Sequence, residues 1–124
     1  MNKEDCIDEN DEKSPLNGDF YANAKAQVWW EVANRFKNTF NAVTKGQKFR
    51  EDELISISSD CDHLDSLIDE LATPRKDEAL NGKAKVESKK DLAKRDIQSP
   101  NKADAFMMAY VGRVIVGYDL IAAL

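Results

Sequence analysis

Residues 81–105 read NGKAKVESKKDLAKRDIQSPNKADA, and this stretch predicts three successive elements. The Asn-Gly pair that opens it favours a two-residue type I′ turn in a β-hairpin over residues 77–88, because both turn positions tolerate positive φ. Ser88, three residues before an aspartate, resembles a capping box at the start of a short helix. Ser99 followed by Pro100 is typical of a second helix start, because proline at the first helical position loses no hydrogen bond.

Upstream of this stretch, residues 20–45 are predicted to form a long amphipathic helix. Its apolar side chains recur at steps of four, three, four and three residues, which is the spacing of one helix face. Gly46 follows as a natural stop in the left-handed conformation. We expect this face to be the main packing surface of the domain. Its members are Trp29, Ala33, Phe36, Phe40 and Val43.

Between these two regions, residues 51–71 contain eight acidic residues and no lysine or arginine. Residues 54–57 (LISI) are predicted to form a short strand, and residues 64–71 a short amphipathic helix capped by Asp60 or Asp62. The predicted fold is therefore α+β and helix-rich, with a small sheet built from residues 54–57 and the hairpin and packed on helices.

The two ends of the chain differ in character. Residues 1–19 are acidic and nearly without apolar residues, so we expect a disordered tail followed by a single domain over residues 20–124. The end of the chain is apolar and has nearly the length of a membrane span, but Arg113 and Asp119 argue against a span, since each is costly inside a bilayer. We expect residues 111–124 to be either buried or a partner-binding segment, and to drive self-association if the elements that would cover it are missing.

Composition excludes several functions. The 124 residues carry a formal net charge of −5, which excludes a global basic field for non-specific nucleic-acid binding. No stretch matches the phosphate-binding loop of nucleotide-hydrolysing motors. Two cysteines do not make a disulfide scaffold, and no secretory leader opens the chain, so a reduced, cytoplasmic compartment is expected.

Few residues carry chemistry. Asp104 stands in the first turn of a helix between two alanines, where an acid needs a partner or a cation unless it faces solvent and complements the helix dipole. Cys61 and His63 lack the further ligands that zinc needs. The basic segment with Lys83, Lys85, Lys89 and Lys90 can contact DNA phosphates or form a solvated face.

The order of these motifs resembles the C-terminal end of the large subunit of tailed-phage terminases. The matching pieces are VESK at residues 86–89, the basic helix after it and SPNKADA at residues 99–105, together with the aromatic start of the long helix around Trp29 and Trp30. The resemblance covers roughly residues 20–110 and implies part of a nuclease domain of RNase H-like fold.

The same resemblance implies a function. Such nucleases hold two divalent cations, Mg²⁺ or Mn²⁺, with a few carboxylates and cut double-stranded phage DNA in the bacterial cytoplasm, in assembly with other terminase chains. Asp104 matches the last of those carboxylates. Two such ions about 4 Å apart can activate water and stabilise the leaving oxygen.

The sequence also departs from the family pattern. The packaging ATPase and the early strands that bear the other acids are not seen before residue 20, so we expect a fragment, such as a prophage relic, that is inactive by itself. The alternative is a small, non-catalytic helical interaction protein that self-associates through its apolar C-terminal segment.

Overall fold

The structure, a computed structural model, describes residues 1, 3–7 and 11–114. Within these residues it is helix-rich with one small antiparallel sheet. The segment expected to self-associate falls mainly on residues 115–124, which lie outside the described residues. In chain order the elements are α1 Asn17–Phe20, α2 Ala24–Lys45, a 3₁₀ turn Glu51–Glu53, α3 Leu64–Ala72, β1 Lys76–Glu78, β2 Ala84–Val86, α4 Lys89–Lys94 and α5 Asn101–Val114.

The main core lies where α5 packs on α2 and α3. On α2 the buried core side chains are Val28, Trp29 and Val32, which are one, three and four residues apart. One face of the first three turns of α2 therefore faces the core. Phe36 extends this face and stacks on Phe106 of α5, with ring centroids 6.2 Å apart. The buried members of the core are Val28, Trp29, Val32, Ile55, Ala103, Met107 and Val111.

The predicted long helix is confirmed over Ala24–Lys45, and Gly46 ends it in the left-handed conformation with φ of 65°. Its start lies four residues later than predicted, because the Asn23 side chain caps it by accepting the Ala26 N–H at 2.8 Å.

The predicted packing stripe is right for two of its five members. Trp29 and Phe36 contact the core, whereas Ala33 is exposed, Phe40 is 61% exposed and Val43 is 80% exposed. The reason is that α5 packs on the first half of α2, whereas no described element covers Phe40 and Val43 further along the helix.

The predicted strand over residues 54–57 is wrong. This segment pairs with no strand among the described residues, and a side chain of α2 instead contacts the backbone of one of its residues, Ile55. The Thr39 hydroxyl accepts a hydrogen bond from the Ile55 N–H at 2.9 Å and lies 3.0 Å from the Ile55 carbonyl oxygen. Asn38 donates to the Glu53 carbonyl at 3.1 Å. Ile55 is thereby held in the core without a sheet.

The hairpin is confirmed, with Lys76 opposite Val86 and Glu78 opposite Ala84. Its turn differs from the predicted two-residue type. The Gly82 N–H donates to the Ala79 carbonyl, the Ala79 N–H donates to the Lys83 carbonyl, and Gly82 alone has positive φ. The connection is therefore a three-residue loop closed by a left-handed glycine, a common hairpin form.

The helix starts agree with the sequence in part. The Ser88 hydroxyl caps α4 by accepting the Asp91 N–H at 3.1 Å, as predicted. Helix α5 begins at Asn101, whose N–H donates to the Ser99 carbonyl at 2.9 Å. The Asp104 N–H donates to the Pro100 carbonyl at 2.9 Å, and the Ser99 hydroxyl donates to the Asn101 side chain instead of accepting from the helix backbone.

The predicted cap of α3 by Asp60 or Asp62 is wrong. His63 occupies the cap position in the left-handed conformation with φ of 57°, so the chain enters the helix in a direction that leaves both aspartates outside it. Ser66 instead donates its hydroxyl to the His63 carbonyl at 3.1 Å.

Residues before α2 contact the rest of the chain through a second apolar cluster. Its buried members are Tyr21, Ala26 and Ala84, and Met1 and Ile7 pack against them. The division into a tail over residues 1–19 and a domain over residues 20–124 stays a prediction. Among the described helices, none combines the length and the apolar character that a membrane crossing requires.

Two identical substitutions on α2 test this account of the core. Val32 is fully buried and Val43 is 80% exposed. We expect Val32→Ala to lower the free energy of unfolding by about 1.5 to 3 kcal/mol, since it removes two buried methyl groups. Val43→Ala should change it by less than about 0.5 kcal/mol. Urea denaturation followed by circular dichroism measures both, and equal losses would contradict this packing.

Candidate functional site

Asp104 lies in the first turn of α5, next to the buried Ala103 of the core. Its side chain keeps 27% exposure, and Oδ2 lies 2.9 Å from Nζ of Lys89. The carboxylate is therefore paired with a cation rather than turned out alone into solvent. The helix N-terminus adds a second favourable interaction for negative charge there.

Lys89 is placed by the corner between β2 and α4. The strand ends at Val86, Ser88 caps the helix, and Lys89 is its first residue. A lysine is unfavourable at a helix N-terminus, where the backbone amides already carry positive partial charge. The carboxylate of Asp104 offsets that repulsion, so the ion pair joins the starts of two helices.

A second ion pair holds the same corner. The Glu87 side chain is only 10% exposed, and the guanidinium of Arg95 donates to both of its oxygens, at 2.8 Å from Nε to Oε2. The Arg75 N–H donates to Oε1 at 3.2 Å. The hydrogen bonds from Arg95 are the main reason that the pKa of Glu87 lies below its ordinary value. The same pair raises the pKa of Arg95.

This Glu87–Arg95 pair was not predicted from the sequence. In the sequence Glu87 stands out only as part of the VESK motif and Arg95 only as part of the basic helix after it. A spacing of eight residues across a strand end and a helix is not a regular contact. The one available signal was the position of Glu87 at the end of the return strand, directly before the Ser88 cap.

A partly buried acid, Glu31, lies elsewhere on α2. Glu31 accepts a long hydrogen bond of 3.5 Å from the Tyr21 hydroxyl. Burial raises the pKa of Glu31, and the nearby charge of Arg35 partly opposes that shift. Burial also raises the pKa of Tyr21. Since the tyrosine remains protonated, its hydroxyl can donate a hydrogen bond to the carboxylate. The pair gives each of these two polar side chains a hydrogen-bond partner where α2 meets the segment before it.

The four lysines predicted to contact DNA do not form one free basic surface. Lys83 donates to the Gly18 carbonyl at 2.6 Å, and Lys85 pairs with Asp77 across the hairpin at 3.3 Å. Lys89 is engaged by Asp104. Lys90 is exposed and makes no ion pair with any residue that the structure describes. Three of the four charges are thus already partnered.

A metal cage is not assembled by the part of the chain that the structure describes. No three side chains of histidine, cysteine, aspartate or glutamate there lie close enough to share an ion. Asp104 can therefore offer one carboxylate to a cation but cannot enclose it. Cys61 is near Asp62, and its thiol lies 3.5 Å from that residue's carbonyl oxygen.

Two clefts lie away from this corner. One, of about 330 Å³, is an apolar groove between α2 and α3 that reaches Ile57 and Met107. The other, of about 230 Å³, lies between the end of α3 and the start of α5 and is lined by both polar and apolar residues. Neither cleft is lined by Asp104 or Lys89, so the candidate site lies outside both of them.

Comparison with solved structures gives a match over most of the chain. The nuclease domain of the large terminase subunit gp2 of bacterial virus Sf6 superposes with a TM-score of 0.72 at 30% sequence identity, covering 86% of this chain and 49% of that one. The chain has the fold of part of a terminase nuclease domain. The resemblance predicted from the sequence and the partial RNase H-like, α+β fold are both confirmed.

Substituted forms of the same Sf6 terminase domain also match. A form solved with manganese and a form solved with calcium each give a TM-score of 0.70 at 29% identity over 86% of this chain. The terminase-like chain spans about half the length of the solved domains that it matches. No protein-family model matches it, and no curated protein does either.

The terminase-like fold places the sequence motifs in one region. The VESK motif forms the end of β2 and the start of α4, and SPNKADA forms the start of α5. The two motifs meet at the contact between Lys89 and Asp104. The roles of Asp104 as a metal ligand and of the four lysines in DNA binding stay predictions.

The Glu87–Arg95 pair predicts a dependence of stability on pH. The pKa of Glu87 is lowered in the folded state, so the unfolded state takes up a proton first as the pH falls. The stabilisation that ionised Glu87 contributes is fully present above the ordinary pKa of glutamate, and it is lost as the pH falls through the pKa of Glu87 in the folded state. We therefore expect the parent chain to lose free energy of unfolding more steeply than Glu87→Gln between about pH 6 and pH 3.

Urea titrations at a series of pH values measure this difference. Glu78→Gln, an exposed glutamate on β1, is the matched control and should follow the parent curve. Glu31, with its raised pKa, acts in the opposite sense, but it is present in every chain compared and cancels. Parallel curves for the parent and Glu87→Gln would contradict the assignment.

Proposed function

We propose that this chain is the C-terminal part of a phage terminase nuclease domain and contributes Asp104 as a ligand for a divalent cation, Mg²⁺ or Mn²⁺, in cleavage of double-stranded DNA. The observation that carries the proposal is the structural match to a terminase nuclease domain at 30% identity over 86% of the chain. The manganese and calcium forms of that domain support a divalent cation.

The contacts of Asp104 suit a metal ligand. Hard divalent cations prefer carboxylate oxygen, and Asp104 offers one that is accessible, partly shielded and fixed at a helix start. The ammonium group of Lys89, 2.9 Å away, supplies the positive charge that the carboxylate needs. A cation that binds Asp104 must displace or share this interaction, so Lys89 competes with the metal.

A complete site needs further carboxylates. Two-metal cleavage requires several acidic ligands around two ions, and Asp104 alone cannot supply them. We place the remaining ligands in other terminase chain segments that pack beside α5. The exposed Ala105 and Met108, on the side of α5 that the described elements leave uncovered, provide a surface for such segments.

DNA would approach over the basic hairpin and α4. Lys90 has no carboxylate partner among the described residues, and Lys85 and Lys89 can exchange their carboxylate partners for phosphates. Each phosphate contact adds affinity that depends on salt but not on sequence. We place this activity in the cytoplasm of a bacterial host, with the gene carried by a phage or prophage.

The alternative function is a non-catalytic helical interaction protein. Exposed Phe40, Val43 and Ile68 are compatible with a protein-binding surface. A part of a larger domain also exposes apolar residues where its other elements would pack, so these residues do not favour the alternative over the nuclease proposal.

Metal binding at Asp104 is directly testable. We expect Mn²⁺ added to the ¹⁵N-labelled chain to broaden amide signals around the start of α5 at millimolar concentration, because one carboxylate binds weakly. Asp104→Asn should abolish the local effect. Lys89→Gln should lower the Mn²⁺ concentration for half-broadening by about two- to fivefold, the range expected when a partly exposed ion pair no longer competes.

Asp91→Asn is the matched control for this titration. Asp91 also lies in the first turn of a helix and has a lysine partner, Lys94, at 3.6 Å. Its removal should leave the broadening around Asp104 unchanged. Broadening that is spread evenly over acidic surfaces, or that survives in Asp104→Asn, would count against a ligand role.

Cleavage by the chain alone is a separate prediction. With a single ligand at the site, the 124-residue chain should not nick supercoiled plasmid DNA in Mg²⁺ or Mn²⁺ above the rate of a chelator control. Agarose electrophoresis of the plasmid measures this. Metal-dependent nicking that disappears in Asp104→Asn would show instead that the chain assembles a working site unaided.

A further inference from the structure

We propose that Arg95 and Glu87 form a positioning pair, which holds the start of α4 so that the Lys89 ammonium meets Asp104. Neither residue touches the proposed metal position; they act through Lys89. The proposal deepens the proposed function, on which its significance for metal binding rests. The contact that it explains is formed by two side chains of the chain itself, Lys89 and Asp104.

The pair joins segments that are separate in the chain. Arg95 follows the last residue of α4, and Glu87 precedes its cap, so the salt bridge runs back along the length of the helix. The guanidinium also donates to the Thr73 carbonyl at the end of α3, at 3.3 Å. The backbone of Arg75, just before β1, both accepts the Glu87 N–H at 2.9 Å and donates to the carboxylate. One guanidinium–carboxylate unit thus ties α3, β1, β2 and α4 together.

Helix α4 cannot set its own orientation. It has six residues, and a helix of that length is not stable in isolation, so its direction depends on the groups that anchor it. Leu92 is buried at its middle and Ser88 caps its start. A single buried side chain still permits rotation about itself, and the Glu87–Arg95 pair is the contact that fixes the end from which Lys89 projects.

The chemistry of the pair requires arginine. The planar guanidinium donates to both carboxylate oxygens and to the Thr73 carbonyl at once, which an ammonium group on a flexible stem does not reproduce. Without those donors the Glu87 carboxylate keeps only the Arg75 N–H while remaining largely out of water. A buried, unpaired charge is costly, so the strand end should shift to hydrate it, and Ser88 and Lys89 shift with it.

A double-mutant cycle tests the proposal in the full chain. The interaction between Lys89 and Asp104 is measured from urea unfolding of the parent, Lys89→Gln, Asp104→Asn and the double variant, in buffer with chelator and no metal. We expect a coupling of about two- to fivefold in the unfolding equilibrium constant, as for partly exposed ion pairs. The cycle is repeated in an Arg95→Lys background, where the coupling should fall to within error of onefold.

Lys94→Gln provides the matched background. Lys94 is the last residue of α4 and the neighbour of Arg95, and its side chain is 69% exposed. Among the described residues its one ion-pair partner is Asp91. Lys94→Gln changes the charge near α4, whereas Arg95→Lys keeps the charge and changes only the geometry of the donor group. If the coupling between Lys89 and Asp104 survives in Lys94→Gln and vanishes in Arg95→Lys, the cause is geometry rather than charge. If Arg95→Lys is too unstable for urea titration, Glu87→Gln, which keeps the side-chain shape and one oxygen acceptor, takes its place with the same expectation.

A merely structural role predicts a different result. Stability would then fall in Arg95→Lys while the coupling between Lys89 and Asp104 stayed at its parent value, and that outcome overturns the proposal, as does a parent coupling of onefold. The measurement contains no metal, so it is distinct from the Mn²⁺ titration. Failure of Asp104 to bind Mn²⁺ overturns the proposed function and leaves this test unaffected.

Discussion

The packing of α5 on the first half of α2 is the contact on which the rest of this structure depends. Met107 and Val111 meet Val28 and Val32 in one apolar cluster, and α3 closes over its side. Asp104 lies on α5 three residues before Met107, so the burial of Met107 fixes the direction in which the Asp104 side chain leaves the helix. Apolar contacts thus set the position of the charged site, and the ion pairs determine which groups lie next to the Asp104 carboxylate.

The hairpin and α4 complete the corner by a different kind of interaction. They bury few side chains of their own, chiefly Ala84 and Leu92, and rely on polar contacts for their placement. Glu87 and Arg95 provide those contacts at the strand end, and Trp30 on α2 donates its indole N–H to the Lys85 carbonyl at 3.2 Å. A few directional contacts define this placement well, but a single substitution can disturb it, since removing one partner leaves the other as a buried polar group without a hydrogen bond.

The sequence predicted what depends on neighbours along the chain. Helical spacing located α2, Gly46 marked its end, and Ser88 marked the start of α4, because each of these signals acts within one or two turns. Contacts between distant segments were missed. Residues 54–57 have the composition of a strand, but the Thr39 hydroxyl occupies the backbone of Ile55, and no local rule reveals a partner 16 residues away. The Glu87–Arg95 pair escaped notice for the same reason.

The site was predictable only through motif order. Residue spacing alone is equally consistent with Asp104 as an ordinary solvent-facing acid at a helix start. It is also consistent with the lysines of the basic segment as an ordinary solvated face, and three of those four lysines already have partners in the structure.

The uncovered half of α2 has a consequence for how the chain opens. A helix of 22 residues is about 33 Å long, and beyond Thr39 its backbone hydrogen bonds are supported by little side-chain packing. Amide protons there should exchange with solvent through local fraying, whereas those around Val28 and Val32 should exchange only when the whole core opens. One continuous helix thus spans two regimes of protection, and its outer turns are free to reorganise without disturbing the corner that carries Asp104.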